Sequence, residues 1–197
     1  MHEGSKKSGW AIWLTGMPGS GKSTLARVVA RKLLDRHIQS QVLSVEMVRE
    51  ILTPKPAYTE EERRIVYGAL VLVAKMLCQN GINVIIDATA NRRRHRNAAR
   101  RSIARFGEIY LKCPLKVCME RERKRKRRFG APSRIYDKAR TGTSKTVPGI
   151  GVPYEVPLAP ELEVNTSELG PNQSAERIVR FVIFRYGQRS QNTAAKR

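Results

Sequence analysis

Long apolar runs are missing from this chain. No window reaches the roughly 18 consecutive apolar residues of a membrane span, and the opening MHEGSKKSG lacks the apolar core of a secretory leader. The expectation is a cytoplasmic protein with no membrane partner. Cysteine is scarce too: Cys78, Cys113 and Cys118 lie in apolar or strand-like surroundings, without CxxC spacing or paired histidines. That excludes a zinc site or a disulfide framework and leaves buried thiols in a reducing compartment. His2, His37 and His95 are scattered with no metal or triad partner, so solvent-exposed histidines are expected. Aromatics make up only 6% and interleave poorly with the basic runs, which argues against a single-strand stacking platform. No internal repeat stands out.

Acid is scarce relative to base. Against 17 Asp and Glu stand 38 Lys and Arg, a formal net charge of +21. Such a field concentrates phosphorylated or sulfated ligands, or nucleic acid, without saying which.

What the chain does have is alternation. Its 197 residues, 41% hydrophobic, suffice for one domain with a sizeable core. Short β-rich runs at 10–15, 41–46, 83–88, 108–113 and 162–166 read as buried strands of a parallel sheet. Helix-like segments at 22–36, 60–79, 92–106 and 173–186 separate them, giving an α/β, doubly wound, five-stranded fold. Residues 121–155 break the pattern with RERKRKRRFG and a Gly- and Pro-rich run, and are expected to form a lid over a ligand. The expected domain covers 10–186, with polar tails at 1–9 and 187–197.

GMPGSGKST, residues 16–24, falls between an apolar strand and an uninterrupted helix, the context that gives the phosphate-loop pattern its meaning. Gly16, Gly19 and Gly21 free backbone N–H groups to cradle a phosphate, Ser20 and Thr24 complete the cradle, and the helix dipole adds to it. Lys22 can reach the β- and γ-phosphates of ATP, and the Ser23 hydroxyl can ligate Mg2+. Asp87, closing VIID, stands at the carboxyl edge of the sheet, where it can orient hydrated magnesium or cap the helix that follows. Glu46 closes the second strand and can accept the proton of an incoming hydroxyl, or equally serve as a surface helix cap.

The basic clusters are ambiguous. Arg92, Arg96 and Arg100 share one face of a helix, where one or two could bind an anionic substrate while the others are solvated. The seven cations of RERKRKRRFG could clamp phosphates, although a solvated helix end describes most of them.

From the phosphate loop to about residue 166 the chain resembles the adenylyl-sulfate kinases, P-loop enzymes that phosphorylate the 3′-hydroxyl of adenosine 5′-phosphosulfate with MgATP. EIYLKCPLKVCMER is similar to that family's fourth strand and adenine-side helix, and YDKARTGTSKTVPGIGVPYEVPLAPELEVNT to its lid and last strand. The resemblance implies Arg121 against the ATP adenine, Asn165 and Thr166 near the base, and Lys145 reaching the transferring phosphate or acceptor. It implies Arg49 and Arg63 as acceptor-binding arginines and Tyr58 as a ring stacked on the acceptor's adenine. The departures cluster on the acceptor side. Ser44-Val45-Glu46 replaces Asp-Gly-Asp, Val66 and Gly68 replace Asn and Arg, Val147 replaces a second stacking Phe, Gly151 an Asp, and Ala90 a Ser. DATANRRRHR resembles broader P-loop kinases in which a strand-end Asp and following arginines organise the acceptor, so Asn91 and Arg93 join the acceptor-binding candidates.

The expected activity is transfer of the ATP γ-phosphoryl group to a small anionic, nucleotide-like acceptor, catalysed by Lys22, Glu46 or Asp87, and Lys145. A different nucleotide or polynucleotide acceptor is the first alternative, and an ATP-regulated nucleic-acid-binding protein the second. A homodimer is possible through the apolar helix face near 65–77.

Overall fold

The sheet is built around AIWLT. In the computed structural model, which describes residues 7–125, 130 and 132–187, these residues form β1 (Ala11–Thr15), buried along its whole length. Alternate side chains feed two cores, as a strand's period of two requires. Ala11 and Trp13 join one cluster and Ile12 and Leu14 the other.

β2 (Gln41–Ser44), β3 (Val84–Asp87), β4 (Phe106–Lys112) and β5 (Leu162–Asn165) complete a five-stranded sheet in the order β2-β3-β1-β4-β5. All pairings are parallel. α1 (Lys22–Leu34) and α7 (Pro171–Tyr186) supply the core on one face. α3 (Glu60–Gln79) and α4 (Arg93–Ser102) supply it on the other, beside the short α2 (Val45–Leu52). The expected α/β doubly wound architecture is therefore present. Among the described residues no helix is long and apolar enough to cross a membrane.

The second strand is shorter than expected. It ends at Ser44, whose hydroxyl accepts the Glu46 N–H at 3.2 Å and so starts α2. Glu46 therefore sits in the first turn of a helix and not at a strand end. Two further helices, α5 (Leu115–Lys124) and α6 (Ile135–Arg140), occupy the expected lid and its approach, around a satellite core of Cys113, Cys118, Tyr136 and Val147. Residues 126–129 and 131 of that segment lie outside the described residues, as do 1–6 and 188–197 of the expected tails. Gly9, placed in the first tail, is buried and donates to Cys78 O at 2.7 Å.

All three cysteines are free and buried. His37 is exposed, but His95 is only 6% exposed, its ring lying 4.6 Å from that of Tyr67. Burial first, and then Arg94, push its pKa down to about 4. The expectation of a solvated histidine fails here because α4 turns this face toward α3. Arg96, expected as a substrate contact or a solvated side chain, is corrected too, because its face of α4 turns onto β4 and the chain leading into β5. It is 1% exposed and donates to Glu108 at 2.6 Å, to Glu155 O at 2.6 Å and to Ala90 O. Arg92 pairs with Glu155, and Arg100 with Glu108 and Glu161. These arginines tie α4 to β4 and to the chain leading into β5.

Candidate active site

The parallel order brings the carboxyl ends of β1 and β3 side by side, with Leu14 opposite Asp87 and Ser44 opposite Asp87 on the other flank. Loops leaving these ends surround a cavity of about 1120 Å³. Ligands of open α/β sheets bind at this edge because the helix N-termini and loop backbone converge there.

The phosphate loop forms one wall. Gly19 has φ 85, and a Cβ there would stand 2.3 Å from Cys118 O; only glycine fits. Gly21, at φ 99, opens α1. Lys22 is 8% exposed, and its Nζ donates to Gly16 O and Met17 O, both at 3.0 Å. Burial lowers its pKa, opposed chiefly by Asp87. Gly19, Ser20, Gly21, Lys22, Ser23 and Thr24 all line the cavity. Gly16 contributes through the Lys22 bond and is not part of the lining.

Glu46 and Asp87 share the cavity wall. Burial raises the Glu46 carboxyl above its ordinary value, and Asp87 adds to the shift, while Arg49, Lys22 and Arg125 oppose it. Asp87 is 4% exposed.

Arg121 and Thr166 form the wall beyond the loop. Arg121 donates to Thr166 O at 2.8 Å, and the Thr166 hydroxyl donates to Ser20 O at 3.0 Å, joining the end of β5 to the phosphate loop. Asn165 is placed differently. Its Oδ1 accepts from Ser167 N and Oγ, so it caps a turn and stays off the lining.

On the opposite side Arg49, Tyr58 and Arg63 line the cavity. The Arg49 guanidinium lies 4.7 Å from the Tyr58 ring centroid, and that of Arg63 lies 6.0 Å away. Arg49 is 5% exposed, yet its buried Nη1 has no hydrogen-bond partner among the described residues. A buried guanidinium with an unmet donor has the chemistry to receive an anion. Tyr58 has φ 56, a left-handed backbone held by the Glu62 carboxylate, which accepts the N–H groups of Ala57 and Tyr58.

Asn91 and Arg93 are not cavity-lining residues. Asn91 is 0% exposed behind Arg63, and the Arg93 N–H donates to Glu155 Oε2 at 2.8 Å. Each is drawn to partners within the fold.

The expected lid lies over the phosphate loop. The Tyr136 hydroxyl donates to Pro18 O at 2.7 Å, and the buried Glu122 accepts the Ile135 N–H at 3.4 Å. Lys145 lines the cavity, is exposed, and has no hydrogen bond or ion pair among the described residues. Lys138 and Arg125 line it too. Lys138 was not singled out from sequence, because two cations in YDKAR, Lys138 and Arg140, carry no pattern that tells one from the other. Tyr67 was also missed: at a core position of α3 it lines the cavity and accepts the Ala90 N–H at 3.0 Å.

The family model described as adenylylsulphate kinase matches residues 8–165. The probable adenylyl-sulfate kinase of Pyrococcus abyssi is 33% identical over 172 residues, 87% of this chain and 94% of that protein. The adenylyl-sulfate kinase of Bacillus pumilus is 36% identical over 178 residues, 89% of this chain and 85% of its own length. The structure of the Mycobacterium tuberculosis APS kinase CysC in complex with AMPPNP and APS superimposes with a TM-score of 0.79 at 30% identity, covering 89% of this chain and 98% of that one.

Proposed function

This chain belongs to the adenylylsulphate kinase family and is an ATP-dependent phosphotransferase, and from that premise we propose that it phosphorylates the 3′-hydroxyl of adenosine 5′-phosphosulfate, yielding 3′-phosphoadenosine 5′-phosphosulfate. The observation that carries this reading is one cavity holding the Lys22 phosphate cradle together with the buried, incompletely paired Arg49.

The phosphate-loop amides and Lys22 hold the ATP phosphates, while Arg121 and Thr166 flank the base. Arg49, Arg63 and Tyr58 receive the nucleotide acceptor, two cations for its anionic groups and a ring for its base. The acceptor oxygen forms a bond to the γ-phosphorus, the bond to the β-phosphate oxygen breaks, and ADP leaves. Glu46 takes the hydroxyl proton; its raised pKa makes it a better base near neutral pH than an ordinary carboxylate. Lys22 and Lys145 stabilise charge on the transferring group.

Mg2+ fits the donor set. Ser23 and Asp87 line the same cavity, and among the described residues there is no cluster of three acidic, His or Cys side chains that would hold a metal by itself. Magnesium characteristically takes one or two protein oxygens plus phosphate oxygens and water. Bound there, it neutralises phosphate charge.

ATP consumption with adenylyl sulfate, other nucleotides and RNA ends tests the reading; no turnover of adenylyl sulfate alongside strong turnover of another acceptor overturns it. The compartment proposed is the cytoplasm. The proposed assembly is a homodimer through the α3 face bearing the exposed Ile65, Leu72 and Met76. A monomeric mass in sedimentation at micromolar concentration would count against that.

A further inference from the structure

Asn91 sits where the chain passes from β3 to α4, directly after Ala90, whose φ is 41. It does not line the cavity, yet it is 0% exposed and makes bonds in three directions. Its Oδ1 accepts from Arg63 Nη1 at 3.1 Å, its Nδ2 donates to Pro153 O at 3.1 Å, and its backbone oxygen accepts the Glu155 N–H at 2.8 Å. The two neighbours fix the orientation of the amide. Arginine only donates and a carbonyl only accepts, so one arrangement satisfies both.

Arg63 carries the connection onward. Its Nη2 donates to Thr146 O at 2.7 Å and its Nε to Tyr58 O at 3.1 Å. Thr146 and Pro153 flank the turn that bridges Pro148 and Val152. One leg of that turn is thus held by Arg63, and the other by Asn91. The legs also touch each other: a Cβ on Gly151 would stand 2.2 Å from Lys145 O. Lys145, adjacent to Thr146, is the lid cation lining the cavity.

We infer that Asn91 is a positioning residue that locks Arg63 of the acceptor side and the Lys145-bearing turn into one unit, so that acceptor binding and placement of the lid cation are coupled through a side chain that touches no substrate. This rests on the reading of the cavity as a kinase site, although its structural half can be tested without any acceptor. Asparagine suits the position because an aspartate would set a carboxylate oxygen against Pro153 O, and an alanine would leave Arg63 Nη1 and Pro153 O without their partner.

The test uses the full chain with Asn91→Ala and Asn91→Asp. The first measurement is hydrogen exchange across residues 144–153, read without acceptor. Both variants should exchange faster there, while α1 and α7 are unchanged. The second is steady-state kinetics. Asn91→Ala should raise the KM for adenylyl sulfate about 10-fold or more, leave that for ATP within about two-fold, and lower kcat; Asn91→Asp, which keeps the Arg63 contact, should recover most of the KM but not the kcat. Unaltered exchange at 144–153, or equal changes in both KM values, overturns the inference. Failure of the wild-type chain to phosphorylate adenylyl sulfate, with exchange altered as expected, refutes the acceptor assignment and leaves the lock standing. Should Asn91→Ala not fold, Asn91→Asp carries both measurements: faster exchange at 144–153 with a lowered kcat at near wild-type KM supports the lock, and unaltered exchange or an unaltered kcat overturns it.

Discussion

Two sets of arginines in this chain look alike in sequence and are used in opposite ways. At the cap and along the length of α4, Arg92, Arg96 and Arg100 meet Glu155, Glu108 and Glu161, and each guanidinium is matched by a carboxylate. In the cavity, Arg49 is buried like Arg96, and more deeply than Arg92 and Arg100, but is met by the face of Tyr58 and keeps an unmet donor. Arg63 meets only neutral oxygens, from Tyr58, Asn91 and Thr146. A buried cation hydrogen-bonded to a protein carboxylate belongs to the fold, whereas Arg49, which feels the Glu46 carboxylate only through space and keeps an unmet donor, is suited to meet an anion from outside. Charge density alone does not separate the two; the distribution of scarce acid does.

That contrast can be broken from either side. Arg96→Ala should act on stability first. It leaves Glu108 buried without its closest partner, and urea unfolding should show a loss of about 3–5 kcal/mol, with the KM for ATP of the remaining folded protein unchanged. Lys22→Ala should act on chemistry. Turnover should fall about 100- to 1000-fold, as when a main electrostatic stabiliser is lost, while the urea midpoint moves little. Substantial turnover in this variant would overturn the phosphate-loop mechanism.

Arg49→Ala sharpens the comparison. Loss of a charge-assisted contact should raise the KM for the acceptor about 10- to 100-fold, with a smaller stability loss than Arg96→Ala. Equal stability losses in the two variants would erase the distinction between the two sets of arginines. His95 supplies a gentler probe of the α4 side. Its pKa is lowered on folding from 6.5 to about 4, so the native state binds fewer protons than the unfolded chain between those values. Stability is therefore lost as pH falls through that window, and His95→Phe should flatten this limb in urea titrations at successive pH values. Arg31→Ala is the control. Its pairing with Asp35 is mostly exposed, and its removal should change the unfolding free energy by less than about 0.5 kcal/mol.

Much of the nucleotide end was readable because its logic is local. A strand, a glycine-rich loop and a helix are contiguous in sequence, so Lys22 and Ser23 are placed by the residues beside them. Glu46 was read one element too early, since Ser44 can end a strand or cap a helix and only packing against the sheet chooses. Asn91, Arg93 and Asn165 carried the right chemistry for a binding site, but each was drawn to a nearer partner in the fold. The sequence pattern leaves His95 a surface residue, and Arg96 either a substrate contact or a solvated side chain, because polar side chains on a helix say nothing of which face turns inward.

By itself the sequence determined the alternation of strands and helices, the phosphate loop and the excess of cation over acid, all set by neighbours along the chain or by composition. Only the tertiary structure decided which cations were spent on Glu108, Glu155 and Glu161 and which were left facing the cavity. The partners that decide it lie from 8 to more than 60 residues away, and pairing at that separation depends on how helices are laid across the sheet.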